Sequence, residues 1–336
     1  MNASRLAIIG AGGWGTALAI VLAPRFERVR LWVYEPDLAA RMASSRENPV
    51  FLPGLRLPDS LEIVTNLADA VAGARFVVGA MPSHHARRVY KETLPHLDPS
   101  LILVSATKGL ERGTLLRMSE VIKEVVGERF QPKLAVLSGP TFAREVAQGE
   151  PAAVVIASAD LEVAAEVQKA FSGPTLRLYT NRDTIGVEIG AALKNVVAIA
   201  AGVCQGLGLG SNTLAALITR GLAEITRLAT AMGGQPGTLS GLAGLGDLVL
   251  TCSGDLSRNR HVGMELARGR VLGEIVTSMR MVAEGVETCD AAVALGRKFG
   301  VDLPIIQQMY AVLHSSKSPK DALNDLMVRS LKGEGE

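Results

Sequence analysis

Apolar residues in the first half of the chain come in short unbroken runs instead of alternating with polar ones. The runs are LAIIG at 6–10, VRLWVY at 29–34, FVVGA at 76–80, LILVSA at 101–106, LAVLSG at 134–139 and AAVVIA at 152–157. Each is strand-length, rich in branched residues and separated from the next by a helical stretch. Continuous apolar strands alternating with helices predict a mostly parallel sheet covered on both faces. Around Thr180-Asn181-Arg182-Asp183 the pattern changes. From Thr184 onward the segments are helix-length, at 184–204, 212–232, 258–268, 283–299, 304–314 and 319–331. Their breaks are glycine-rich or carry caps, and no strand run of note remains. The pattern predicts an α/β domain over residues 1–183 followed by an all-helical domain over 184–336, with the cleft between them as the expected active site.

The first strand runs directly into a glycine-rich turn. Gly10, Gly12 and Gly15 make G-x-G-x-x-G, followed by TALAIVLA with no helix breaker until Pro24. Glu35 closes the second apolar strand, twenty residues after Gly15. The first glycine permits the tight turn, and the second lets backbone N–H groups approach a pyrophosphate. The third lets the helix pack against the strand, and the helix N-terminus faces the phosphate charge. Gly13 and Trp14 lie inside the same turn, and Tyr34 precedes the acid. This is a Rossmann-type dinucleotide-binding pattern, with Glu35 placed to accept bonds from the adenosine ribose. The run Leu6 to Ala23 is apolar enough to suggest a signal peptide or membrane span. The glycines within it and the acid-ended strand after it argue against both.

At 336 residues, each of two domains is large enough to bury its own core. A net charge of +2, with no basic run longer than two residues, leaves no electrostatic footprint for a nucleic acid. Cys204, Cys252 and Cys289 are widely separated, show no metal-ligand spacing and fit a reduced compartment as small hydrophobes. No metal site is expected. The apolar stretch 185–204 is interrupted by Glu188, Lys194 and Asn195, so it is not expected to span a membrane. A soluble cytoplasmic protein is the expectation.

Ligands of open α/β sheets lie beyond the carboxyl ends of the strands. Three strand ends carry polar groups there: Met81-Pro82-Ser83-His84, Thr107-Lys108-Gly109 and Gly139-Pro140-Thr141-Phe142. Lys108 is either a solvated loop lysine or a charge aimed into the site, and its place favours the second. His84 and His85 read as ordinary loop residues. Lys194 interrupts an otherwise apolar helix. Either its head snorkels out, or it is desolvated and tuned toward neutrality, as a general acid/base requires. Asp247, in a glycine-rich apolar setting, needs a cationic partner such as a lysine. Ser257-Arg258-Asn259-Arg260 resembles a capped first helical turn, where an arginine and an amide beside free N–H groups make a phosphate clamp. One of Arg258 and Arg260 is expected to be a solvated helix end.

GAGGWGTALA, ATKGLE, SGPTFARE, GAALKNVVAIAAG, TRGLAE, GLAGLGDLVLTC and SRNR, in this order along essentially the whole chain, resemble NAD(P)-dependent glycerol-3-phosphate dehydrogenases of the bacterial type. The resemblance implies a homodimer that uses NAD or NADP to interconvert dihydroxyacetone phosphate and sn-glycerol 3-phosphate for phospholipid synthesis. It makes Lys194 the proton donor and acceptor. Lys108, Gly139, Thr141, Lys194, Asp247, Ser257, Arg258 and Asn259 would contact substrate. Gly13, Trp14, Lys108, Ala143, Arg258, Val282 and Glu284 would line the cofactor, and the roles of Ala143, Val282 and Glu284 rest on resemblance alone. One departure stands out. Bacterial members often carry basic residues just after the second strand, whereas this chain has Trp32-Val33-Tyr34-Glu35, which looks more like the NAD-using eukaryotic relatives. If NADPH were preferred, Arg41 and Arg46 would be the residues to reach its 2′-phosphate. Rival readings are a related dehydrogenase for a 3-hydroxyacid or phosphogluconate-like substrate, and a non-catalytic NAD sensor. Lys194 in an apolar helix weakens both.

Overall fold

A computed structural model describes residues 2–279, 283–331 and 333–334. Among the described residues there are ten strands: β1 (Asn2–Ile9), β2 (Phe26–Trp32), β3 (Glu47–Asn48), β4 (Leu52–Arg56), β5 (Leu61–Val64), β6 (Phe76–Gly79), β7 (Ile102–Ser105), β8 (Lys133–Ser138), β9 (Ala152–Ala157) and β10 (Leu176–Asn181). Eight of them form one sheet in the order β10-β9-β8-β7-β6-β1-β2-β5, and β3 and β4 make a small separate hairpin. Neighbours in the large sheet are parallel except β8 and β9, which are antiparallel. The chain order reverses between β1 and β6, which opens a crevice beyond their carboxyl ends.

The unbroken apolar strands have a direct cause, because both sheet faces are buried. Leu6 and Ile8 enter one core together with Leu31, Val78 and Val104, while Ala7 and Ile9 enter the other with Val77 and Leu103. Successive side chains point to opposite faces, so a strand with two dry faces has no polar position to offer.

Several boundaries differ from the sequence pattern. The second strand spans Phe26–Trp32 instead of 29–34, and Glu35 lies beyond it as the residue before the helix Pro36–Ser45. β5 and β10 are strands that do not stand out as apolar runs in the sequence. β5 pairs only with β2, and β10 alternates buried Leu176 and Leu178 with exposed positions, as a half-covered edge strand does. The last helix ends at Met327, four residues short of 331. His84 and His85 are not in a loop but in the helix Ser83–Thr93.

Beyond β10 the chain is helical. Asp183 caps the helix Thr184–Gly206, its carboxylate accepting from the Gly186 N–H at 2.8 Å. This helix is long and apolar enough to cross a membrane, but its apolar length is wholly buried inside the protein. The helices Ser211–Ala231, Asp247–Ser253, Arg258–Ala267 and Glu284–Phe299 surround it. Against Arg258–Ala267 the approach is backbone to backbone. A Cβ on Gly202 would lie 1.9 Å from the Arg260 carbonyl oxygen, and one on Gly263 would lie 1.9 Å from that of Ile199.

That crossing yields a prediction. Alanine ordinarily stabilises a helix interior over glycine by about 1 kcal/mol. At Gly202 the added methyl must instead force the helices apart, an overpacking cost of about 1–3 kcal/mol or more. Gly202→Ala is expected to lower the urea midpoint, and an unchanged or raised midpoint would show that the crossing is looser than described.

Candidate active site

The glycine turn sits at the carboxyl end of β1, at the sheet's reversal point. Gly10 adopts φ +114°, and a Cβ on Gly15 would fall 1.9 Å from the Gly10 carbonyl oxygen, so neither position admits a side chain. A Cβ on Gly12 would meet nothing within 4 Å, which leaves open space in front of the helix Gly13–Leu22. The turn is braced from behind by Asn48, a fully buried residue of the hairpin. Its Nδ2 donates to the Ala11 carbonyl at 2.8 Å and to Thr16 Oγ1 at 2.9 Å, while its Oδ1 accepts from the Phe51 N–H at 3.0 Å. The Trp14 indole N–H is buried with no protein partner among the described residues. A cradle free of Cβ atoms, the positive end of a helix and an unused donor fit the pyrophosphate and nucleotide of NAD(P).

Ala143, at the start of the helix Ala143–Ala147, lies against this turn, its Cβ 3.7 Å from where a Cβ on Gly13 would stand. Tyr34 is exposed, with the Arg88 guanidinium 5.3 Å over its ring. Glu35 is exposed. Val282 lies outside the described residues.

The chemistry centres on Asp247. It opens the helix Asp247–Ser253 directly after a π-helical turn, Leu242–Gly246, and is 0% exposed. Its Oδ1 accepts from Lys194 Nζ at 2.6 Å and its Oδ2 from Lys108 Nζ at 2.8 Å. One carboxylate therefore joins the central helix to the loop after β7. Lys108 also donates to the Gly139 carbonyl at 3.0 Å and to Thr141 Oγ1 at 3.4 Å, which draws in the loop after β8. Lys194 donates further to Thr251 Oγ1 at 2.7 Å, and Thr251 in turn donates to the Asp247 carbonyl. Burial pulls the Lys194 ammonium down to about 8; Asp247 opposes that fall and the Lys108 charge adds to it. Cys252, next to this cluster, is pushed up to about 12 by burial and stays a thiol.

The two arginines of the SRNR turn have separate fates. Arg260 is 9% exposed and is tied to the Ser253 carbonyl and the Asp255 carboxylate. Arg258 is exposed and has no hydrogen-bond or ion-pair partner among the described residues. Desolvation by the surrounding protein lowers its guanidinium, against the pull of Glu284. Burial raises the Glu284 carboxyl to about 7; Arg258 opposes this and Glu287 adds to it. Ser257 is buried and caps the helix, its Oγ accepting from the Arg260 N–H at 3.3 Å. The Asn259 amide clamps protein to protein, donating to Asn195 Oδ1 and accepting from the Gly285 N–H, each at 3.0 Å. Among the described residues no group of three metal-ligating side chains exists.

A family model described as the N-terminus of NAD-dependent glycerol-3-phosphate dehydrogenase matches residues 5–164, and the model of its C-terminus matches residues 183–324. Glycerol-3-phosphate dehydrogenase [NAD(P)+] from Koribacter versatilis is 58% identical over 97% of both chains. The chain belongs to this dehydrogenase family. A crystal structure of glycerol-3-phosphate dehydrogenase from Coxiella burnetii is similar with a TM-score of 0.93 and 38% identity, over 97% of this chain and 99% of that one. The enzyme from Saccharomyces cerevisiae matches with a TM-score of 0.82 and 28% identity, over 98% and 100%.

Within this dehydrogenase, Thr251 and Asn48 are site residues that the sequence reading missed. Thr251 was detectable, since it stands four residues after Asp247 on the same helical face. Asn48 offered no local signal for this role, because the two turn groups its Nδ2 meets are more than thirty residues earlier.

The shared carboxylate supports a stability prediction. Asp247→Asn keeps the shape but leaves the buried Lys194 ammonium and the part-buried Lys108 ammonium without a counter-charge, a loss of about 3–5 kcal/mol. Chemical denaturation at neutral pH should show it. A variant as stable as the parent would mean the two lysines are adequately solvated without Asp247.

Proposed function

We propose that the chain reduces dihydroxyacetone phosphate to sn-glycerol 3-phosphate, and runs the reverse oxidation, as a source of glycerophospholipid backbones. The observation that carries this reading is the Lys194–Asp247–Lys108 cluster around a fully buried carboxylate, in a chain that also has a glycine-turn cradle and an arginine, Arg258, unpaired among the described residues. Bound at the glycine turn, a nicotinamide dinucleotide supplies or accepts the hydride. Lys194 carries three protons, of which Asp247 and Thr251 take two. The third is available to the substrate carbonyl oxygen as negative charge develops there. Asp247 and Thr251 aim the ammonium, and burial keeps its proton loosely held near neutrality. Lys108 adds a second positive charge beside the developing alkoxide. Arg258, with its fork unspent, is the group for the substrate phosphate, while Arg260 serves the helix end. Gly139 and Thr141 hold Lys108 in register, and Ser257 and Asn259 shape the phosphate corner. Gly12, Gly13, Trp14, Ala143 and Glu284 belong to the cofactor's surroundings. A homodimer in the cytoplasm is part of the same reading, supported by the family resemblance and by three buried free cysteines.

The test is Lys194→Met. Asp247 keeps Lys108 as its partner, so the protein should remain folded and bind cofactor, as followed by Trp14 fluorescence. NADH oxidation that depends on dihydroxyacetone phosphate should fall by at least about 10²–10⁴-fold in kcat. In the parent, reduction needs the protonated lysine. Its kcat should be level at low pH and fall as pH rises through about 8, and the oxidation should show the opposite slope. A folded Lys194→Met variant that keeps more than about a tenth of parental kcat would move the proton to another group.

Cofactor choice gives a second test. The exposed Glu35 carboxylate suits ribose hydroxyls and repels a 2′-phosphate. NADH is expected to be used at least as well as NADPH by kcat/KM. A clear NADPH preference would overturn this. Arg46, held by the Pro58 and Leu61 carbonyls, is then a weaker candidate for the phosphate than Arg41, and Arg88 over Tyr34 joins it.

A further inference from the structure

The segment that carries Lys108 and the helix that carries Lys194 are joined at a second place, away from Asp247. After Lys108 the chain folds back on itself. Leu110 and Arg117 form an antiparallel bridge, and the Glu111 N–H donates to the Leu116 carbonyl at 2.9 Å. The returning segment ends at Arg117, the N-cap of the helix Met118–Gly127, and brings Arg117 and Ser119 of that first turn to Glu188, which stands on the helix Thr184–Gly206 six residues before Lys194. The Ser119 N–H donates to Glu188 Oε1 at 2.7 Å, the Ser119 hydroxyl to Oε2 at 2.6 Å, and Arg117 Nη1 to Oε2 at 2.7 Å. Glu188 is 4% exposed, Ser119 2% and Arg117 8%.

A buried carboxylate is costly unless its lone pairs are met. Here all three donors come from the sheet domain, while the acceptor belongs to the helical one. The hydride and proton transfers use none of these groups. What the cluster does fix is the place of the Lys108 loop along the central helix, about 9 Å from Lys194 at the helical rise. Asp247 can accept from both lysines only when that register is right.

We propose that Glu188 is a positioning residue for the reaction, clamping the Arg117–Ser119 turn so that Lys108 and Lys194 meet opposite oxygens of Asp247. This rests on Lys194 as the proton donor, and the parental pH profile checks that assignment by itself. With the clamp broken, Lys108 drifts from the cluster. Its lowering effect on the Lys194 ammonium then fades, so the alkaline limb of kcat should move upward.

The experiment is steady-state reduction of dihydroxyacetone phosphate by NADH, across pH, for the parent, Glu188→Ala, Glu188→Gln and Ser119→Ala. Glu188→Ala should lose about 10–100-fold in kcat, the scale of a small misplacement of catalytic groups. Its KM for NADH should stay unchanged, because the glycine turn is untouched. Glu188→Gln, which retains one acceptor oxygen, should fall between it and the parent. Ser119→Ala should change kcat and the limb in the same direction by less, and it decides the matter if Glu188→Ala does not fold. A folded variant with kcat within about twofold of the parent and an unmoved limb overturns the proposal and leaves the cluster a fold-stabilising contact. A parental profile without a limb near pH 8 overturns the Lys194 assignment instead, and the kcat criterion then decides alone.

Discussion

Everything at the active site turns on one carboxylate that has no access to water. Asp247 holds an ammonium group on each of its oxygens, at 2.6 and 2.8 Å. Each lysine needs it, since an unpaired cation at that depth would lose its proton or unfold its surroundings. It needs them equally, because a lone buried carboxylate is as costly. The triad by itself carries one net positive charge, suited to a phosphorylated substrate and to an oxygen on which negative charge grows. Lys194 is left close to the edge of ionisation, where a proton can move in either direction.

That triad is assembled from three distant parts of the chain, so its geometry depends on how closely those parts pack. The helix Thr184–Gly206 is the common axis. Toward the sheet domain it is gripped through Glu188, and on its flank it meets Arg258–Ala267 with backbone touching backbone at Gly202 and Gly263. The close crossing lets Asn195 on one helix reach Asn259 on the other, which sets the SRNR turn and its free Arg258 at a fixed distance from Lys194. Small residues at the crossing and polar residues one or two turns away are thus parts of one arrangement. The same economy appears at the glycine turn, where Asn48 satisfies backbone groups that the turn leaves open.

Two kinds of feature escaped the linear pattern. Edge strands such as β10 carry a weak signal, because a strand covered on one side alternates apolar and polar positions and blends into its surroundings. Partners separated by many residues carry none. Neither Glu188 with Ser119 nor Asn48 with Ala11 shows any local regularity, and Glu188 read merely as an interruption of an apolar helix.

The sequence by itself determined the sheet's dry faces, the glycine turn with its steric reasons, the helical second half, and the presence of a lysine and an aspartate where neither is at ease. These follow from local rules: strand and helix periodicity, the freedom of glycine and the cost of burying charge. Ala143, Val282 and Glu284 came from family resemblance, since no local rule marks them. Tertiary structure alone decided that Lys108 and Lys194 share Asp247, that Arg258 and not Arg260 keeps its fork free, and that Thr251 completes the lysine's bonds. The reason is physical. A buried charge announces that it must have a partner, but which partner it gets depends on which elements cross within about 3 Å of it. No stretch of sequence short enough to be read locally contains both sides of that crossing.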